Sequence, residues 1–152
     1  MKSMRDYARR LTVALFNIDE IYYTNELTKT MQESELCLMY ALDDGLPHSQ
    51  RQIAEEWLIP KTTLNTLVKR WERDGLLILS SIPGKRREMQ ISLTDSGKRH
   101  VEKWMRVVYQ AEEEAVEKTI ELYSEAFIEA IEFYVTALRT AFQNQTEEKN
   151  HS

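Results

Sequence analysis

Cysteine, glycine and proline are all scarce in this chain of 152 residues, and each scarcity excludes something. The lone cysteine, Cys37, has no partner for an intrachain disulfide. Four glycines and three prolines leave long stretches without a breaker, which favours a mostly helical chain. No stretch approaches the ~18 consecutive apolar residues of a membrane span. The first ten residues mix Lys2, Arg5, Asp6, Arg9 and Arg10 without an unbroken apolar segment, so no signal peptide is expected. No glycine loop suited to cradling a phosphate occurs. The three histidines, His48, His100 and His151, lack the spacing of a metal pair. Together these point to a cytoplasmic protein with no cofactor, no metal site, no membrane partner and no catalytic constellation. Glu112, Glu113 and Glu114 are adjacent and so point in different directions around a helix; they read as a solvated face. Cys37, flanked by Leu36 and Leu38, reads as a buried structural thiol and not as a peroxide sensor.

What the chain does have is enough apolar material for a core, 42% of residues against 30% charged, in a length that suits one domain or one intertwined subunit. The net charge of −5 hides an uneven distribution. Residues 61–87 carry seven cations against Glu72 and Asp74, a net of +5, and acidic segments lie on both sides. One basic block between acidic flanks suits a local polyanion site, although charge alone fits a solvated basic run equally well.

The periodicity predicts an amphipathic helix over residues 4–30, with Met4, Tyr7, Ala8, Leu11, Leu15, Ile18 and Tyr22 on one face. A second helix runs from Glu33 to Leu42 and stops at Asp43-Asp44-Gly45. Ser49-Gln50-Arg51-Gln52 has the spacing of a capping box, opening a short helix that buries Ile53, Ala54 and Trp57. Leu58-Ile59-Pro60 interrupts it, and a new helix extends from about Lys61 to Asp74, with Gly75 as its C′ residue. Two short helices across a tight turn form a helix-turn-helix. Leu76–Ser80 and Met89–Leu93 then read as two strands. The Pro83-Gly84 turn between them is followed by Lys85, Arg86 and Arg87, which makes a β-hairpin with a cationic tip. Thr94-Asp95 caps a long helix bearing Val101, Trp104, Met105, Val108 and Ala111. A last helix carries Ile120, Tyr123, Phe127, Ile131, Tyr134, Val135, Leu138 and Phe142. The expected divisions are an N-terminal dimerisation helix (1–32), a winged lobe (33–94), C-terminal dimerisation helices (95–142) and a frayed polar tail (143–152).

Wound at 100° per residue, the helix after Pro60 gathers Leu64, Leu67, Val68 and Trp71 within about 100°. Thr62, Thr66, Lys69 and Arg73 lie opposite, with Thr63 and Asn65 on the flanks. Asn can pair bidentately with adenine, Thr can touch a thymine methyl, and Lys and Arg can meet phosphates or guanine. Lys85, Arg86 and Arg87 at a hairpin tip suit a minor groove. Ser49, Gln50 and Lys61 complete the expected DNA-binding set. An ordinary amphipathic helix and a soluble loop are the plainer alternatives for each feature taken singly.

Over residues 33–97 the chain resembles the MarR (multiple antibiotic resistance regulator) family. The likeness is carried by Ser49-Gln-Arg-Gln-Ile-Ala-Glu-Glu-Trp, by Ile59-Pro-Lys-Thr-Thr-Leu-Asn-Thr-Leu-Val-Lys-Arg-Trp-Glu-Arg-Asp-Gly-Leu-Leu, by Arg87, and by Ile91-Ser-Leu-Thr-Asp-Ser-Gly97. The resemblance implies a mainly helical, winged helix-turn-helix repressor that binds double-stranded DNA as a homodimer with interlocked terminal helices. It also implies Thr62, Thr63, Asn65 and Thr66 in the major groove and Arg87 in the minor groove. Two positions depart from the family pattern. Lys85 stands where an acidic residue usually precedes the wing arginine by two, so the wing must be held differently. Thr66 stands where arginine is frequent.

The terminal helices carry more apolar surface than the small winged core can cover. Leu11, Leu15, Ile18, Phe127, Ile131, Tyr134, Leu138 and Phe142 are therefore expected at a symmetric dimer interface, against the alternative of a monomeric helical bundle. A small aromatic or phenolic effector is the expected regulatory partner. Phe16, Tyr22, Tyr23 and Trp104 are candidates to line its pocket, but such residues are as readily core and take no assigned role. A winged-helix protein-interaction module without an operator is the alternative function.

Overall fold

The computed structural model describes residues 2–26, 28 and 31–150, the last of these by its backbone. The chain forms two compact units, Met1–Val107 and Val108–Ser152. The first holds α1 (Met4–Thr24), α2 (Glu33–Leu42), β1 (His48–Ser49), α3 (Gln50–Glu56), α4 (Lys61–Arg73), β2 (Leu77–Ser81), β3 (Met89–Leu93) and the start of α5 (Asp95–Tyr123). The second holds the remainder of α5 and α6 (Ala126–Asn150). This is the mainly helical winged helix-turn-helix expected from the sequence.

The core of the first unit is made by the apolar faces of short helices closing on a small sheet. Leu38, Met39 and Leu42 of α2, Ile53 of α3, Leu64, Leu67, Val68 and Trp71 of α4, Leu77 of β2, Ile91 of β3 and Val101 and Met105 of α5 are all buried. The sheet is antiparallel with strand order β1-β3-β2, and β2 and β3 pair in a register that sets Leu79 opposite Ile91 and Ser81 opposite Met89.

Several expectations need correction. α1 ends at Thr24, although the period continued to 30; residues 27, 29 and 30 of that expected helix lie outside the described residues. Beyond Thr24 the backbone turns, with the Thr28 N–H bonded to the Asn25 carbonyl and the Thr28 hydroxyl donating to the carbonyl of Tyr22. Polar side chains here replace the helical ladder. β1 had no sequence signal, because two residues are too short to show a period. Half of the expected capping box on α3 forms: Ser49 Oγ accepts from the Gln52 N–H at 3.3 Å. Trp57 is half-buried and stacks on Tyr40 with ring centroids 5.3 Å apart. β2 starts one residue later than expected, at Leu77. The polar tail is helical as far as Asn150: Gln143, Gln145, Glu147, Glu148 and Lys149 are good helix formers and no glycine or proline intervenes.

Candidate nucleic-acid interface

The turn between α3 and α4 is tight because Leu58 adopts the left-handed region, with φ of 52°. Its side chain is 83% exposed, while the next residue, Ile59, is buried. Pro60 then fixes the chain direction as the N-cap of α4. At the other end, the Gly75 N–H bonds the Glu72 carbonyl (3.0 Å) and the Leu76 N–H bonds the Trp71 carbonyl (2.8 Å). Gly75 supplies the positive φ, 72°, that this Schellman closure requires.

Between its ends α4 presents the two faces its sequence predicts. Leu64, Leu67, Val68 and Trp71 are buried; Lys61, Thr62, Asn65, Thr66, Lys69 and Arg73 are exposed, and Thr63 is intermediate. A residue that periodicity did not flag fixes the rotation of this helix. Glu35 of α2 accepts the indole N–H of Trp71 at 2.9 Å and pairs with Arg70 Nη2 at 2.6 Å. No residue-type pattern points to Glu35, because its partners lie 35 and 36 positions away.

The hairpin tip turns at Pro83-Gly84. Gly84 has φ of 79°, and the Lys85 N–H bonds the Ile82 carbonyl at 3.0 Å, the geometry of a type II turn with Pro at its second and Gly at its third position. The wing is held by Glu88, a residue sequence reasoning also passed over. Its Oε2 pairs with Lys85 Nζ at 3.0 Å and its Oε1 accepts the hydroxyl of Ser49. The bonds from Ser49 and then Lys85 hold the Glu88 carboxyl below the usual carboxylate range. The inverted charge at position 85 is therefore matched by an acidic group three residues later.

The structure brings distant parts of the expected site together. Gln50 and Arg51 of α3, Lys61 of α4 and Lys85 and Arg87 of the wing line one cleft of about 420 Å³, floored by Ala54, Leu64 and Met89. Among the described residues, no carboxylate pairs with Lys61, Lys69, Arg86 or Arg87, whereas Arg73 pairs with Asp74 at 3.1 Å and Lys85 with Glu88. Within the basic block 61–87, the cations without a carboxylate partner among the described residues are thus on the wing tip and along α4. Ser49 is placed differently from the others: it is 5% exposed, and its hydroxyl serves the α3 cap and Glu88.

Other singled-out residues lie apart from this surface. In α1, Leu15 and Ile18 are exposed and Leu11 is intermediate; in α6, Ile131, Leu138 and Phe142 are exposed and Phe127 and Tyr134 intermediate. Cys37, expected to be buried, is half-buried; burial and then Glu33 raise its thiol pKa. His48 pairs with Asp44 at 2.9 Å and His100 packs edge-on against Trp71, while His151 lies outside the described residues. Tyr22 and Tyr23 line a cavity of about 80 Å³ together with Asp19, Thr28, Met31, Glu33 and Leu36. Phe16 is exposed and Trp104 intermediate. No helix of the described residues is long and apolar enough to cross a membrane.

Residues 29–88 match the family model described as MarR family. No curated protein sequence matches the chain. Among solved structures, a MarR family regulator from Neisseria meningitidis is 18% identical, with 98% of this chain and 99% of that one covered and a TM-score of 0.69. FabT of Streptococcus pneumoniae, solved in complex with DNA, is 19% identical over 93% of this chain and 96% of that one, with a TM-score of 0.57. BpsR of Bordetella bronchiseptica, whose DNA binding is regulated by 6-hydroxynicotinic acid, is 20% identical over 88% of this chain and 98% of that one, with a TM-score of 0.60. At these identities the likeness is one of fold.

Proposed function

We propose, from the match of residues 29–88 to the MarR family model, that the protein is a cytoplasmic DNA-binding transcription regulator, a repressor that grips a palindromic operator as a homodimer. The observation that carries this reading is the convergence of Gln50, Lys61, Lys85 and Arg87, from three separated segments, on one cleft beside the polar face of α4. Thr62, Thr63, Asn65 and Thr66 supply groups for base edges, and Lys61, Lys69, Arg86 and Arg87 supply charge for phosphates and the minor groove.

The homodimer is supported by what the terminal helices leave uncovered. None of the 21 residues of α1 is buried, and Phe16, Ile18 and Ile21 are exposed along it. In α6, Ile131, Phe133, Leu138 and Phe142 are exposed. Monomeric proteins rarely leave contiguous apolar surface of this kind, and a second copy covers it. The regulatory step is a population shift driven by a small aromatic or phenolic effector; the solved relative regulated by 6-hydroxynicotinic acid supports that choice of ligand class.

The test is selection of tight binders from pooled random duplex DNA by the purified full chain at two salt concentrations, with its mass measured in solution. Recovery of a two-fold symmetric site by a dimer, with affinity falling steeply with salt, is the expected result. No enrichment at either salt would overturn the operator-binding reading in favour of a protein-interaction module. A monomer would overturn the dimer.

A further inference from the structure

We infer that Glu88 is a positioning residue for DNA recognition, tying the wing to the helix-turn-helix through Ser49 and so fixing where Arg86 and Arg87 stand relative to α4. The inference rests on the DNA-binding reading above.

Three observations carry it. The first is a charge that the proposed function by itself would not favour. Glu88 is the one acidic residue between β2 and β3, and it lines the same cleft as Arg51, Lys61, Lys85 and Arg87. A carboxylate facing a phosphate backbone repels it, so its place there needs another account. The second is its bonding. One carboxylate oxygen takes the Ser49 hydroxyl and the other takes Lys85 Nζ at 3.0 Å, so both are engaged within the protein. The third is where the tie falls. β1 pairs with β3 only at His48 with Ile91 and Ser49 with Gln90. Past Gln90 toward the tip, no third strand pairs with the hairpin among the described residues, and its base closes through the Ile82 N–H to the Glu88 carbonyl at 3.3 Å. The Glu88–Ser49 bond therefore joins the wing to the buried start of α3 just where sheet pairing ends.

Two effects of opposite sign follow when the carboxylate is removed. One negative charge leaves the DNA-facing surface and Lys85 is released, so binding to any duplex strengthens and its salt dependence steepens by about one phosphate contact. The wing arginines lose their fixed reach, so the preference for the operator weakens. Removal of a carboxylate that only repelled DNA would raise general affinity without lowering the preference for the operator, so the split between the two is what marks a positioning role.

The experiment uses the full chain and its Glu88→Ala, Glu88→Gln, Ser49→Ala and doubly substituted Ser49→Ala/Glu88→Ala variants. It reads amide hydrogen exchange at Ile82 in the free protein, and affinity for the selected operator against random duplex at two salts. Glu88→Ala should speed exchange at Ile82, raise random-duplex affinity and lower the operator-to-random ratio by about tenfold, the scale of one lost base contact. Glu88→Gln keeps an oxygen for the Ser49 hydroxyl, so it should retain exchange protection and the ratio while steepening the salt slope. Ser49→Ala should reproduce the lost ratio, and the double variant should lose no more than Glu88→Ala alone. An unchanged ratio in Glu88→Ala, or a Gln variant as undiscriminating as Ala, would overturn the tie. If the unsubstituted protein selects no operator, the DNA-binding reading fails instead, and unchanged Ile82 exchange in Glu88→Ala would then overturn the tie independently.

Discussion

A Cβ built on Gly97 would stand 1.8 Å from the carbonyl oxygen of Leu76 and 2.8 Å from its carbon. The first turn of α5 thus lies directly on the backbone that leads into β2. Thr94 fastens the same junction: its N–H bonds the Leu76 carbonyl (3.0 Å), its hydroxyl donates to the Gly75 carbonyl (2.6 Å), and its oxygen accepts the Gly97 N–H (3.0 Å). The Leu-Thr-x-x-Gly run is the sequence trace of this packing. Overpacking typically costs about 1–3 kcal/mol, and a backbone carbonyl yields less than a flexible side chain. Gly97→Ala should therefore fall at or beyond the upper end of that range, read as a lowered denaturant midpoint at unchanged slope. A loss below about 0.5 kcal/mol, the scatter of neutral surface changes, would show that α5 shifts freely.

Glu35 makes a second prediction because its two partners differ in burial. Trp71 is 1% exposed, whereas the Arg70 side chain is 39% exposed. Glu35→Ala leaves the Trp71 indole N–H buried without its acceptor, at a cost of about 1–3 kcal/mol. Glu35→Gln keeps an acceptor and loses only a partly exposed ion pair, worth about 0–1 kcal/mol. Chemical denaturation of both variants should rank Ala well below Gln. Equal losses would place the stabilisation in the ion pair instead.

These two cases mark where the sequence is legible. The buried face of α4, the β3 boundaries and the positive-φ glycines at 75 and 84 follow from local rules of period and turn chemistry, and the structure matches them. Glu35, and Glu88 in its bond to Ser49, are invisible to such rules, since those partners are distant in sequence, with whole elements between them. β1 was missed for the same reason: its two residues become a strand only because β3 lies beside them. The end of α1 was misplaced because Thr28 and Asn25 satisfy backbone groups that a continuous helix would have used.

Cys37 gives a pH-dependent prediction. Burial, reinforced by the Glu33 carboxylate, raises its thiol above the ordinary value of 9.0. A raised thiol pKa means the fold prefers the neutral form. At neutral pH the thiolate fraction is then below that of a free cysteine, and any contribution to stability is present below the ordinary value and lost as pH rises through the folded one. The rate of alkylation by iodoacetamide should be slow at pH 7.5 and rise with a midpoint above 9.0. Cys37→Ser should leave DNA affinity unchanged with or without peroxide. A midpoint below 8, or peroxide-dependent loss of DNA binding that Cys37→Ser abolishes, would make Cys37 a sensor.

The proposed interface separates into groups that read bases and groups that hold phosphates, and the two classes predict different measurements. Asn65 is exposed on the outer face of α4 and uncharged, and the proposed interface assigns it to a base edge. Asn65→Ala should cost about 1–3 kcal/mol on the selected operator and little on random duplex, with the salt slope unchanged. Lys69 lies one turn further along the same exposed face and, among the described residues, pairs with no carboxylate. Lys69→Ala should weaken operator and random duplex alike and lower the magnitude of the slope of log affinity against log salt by about 0.9, one released counterion. Titrations of both variants on both duplexes at several salt concentrations separate these effects. If Asn65→Ala instead lowered the slope and Lys69→Ala altered operator preference, α4 would be rotated on the DNA from the placement its buried face dictates.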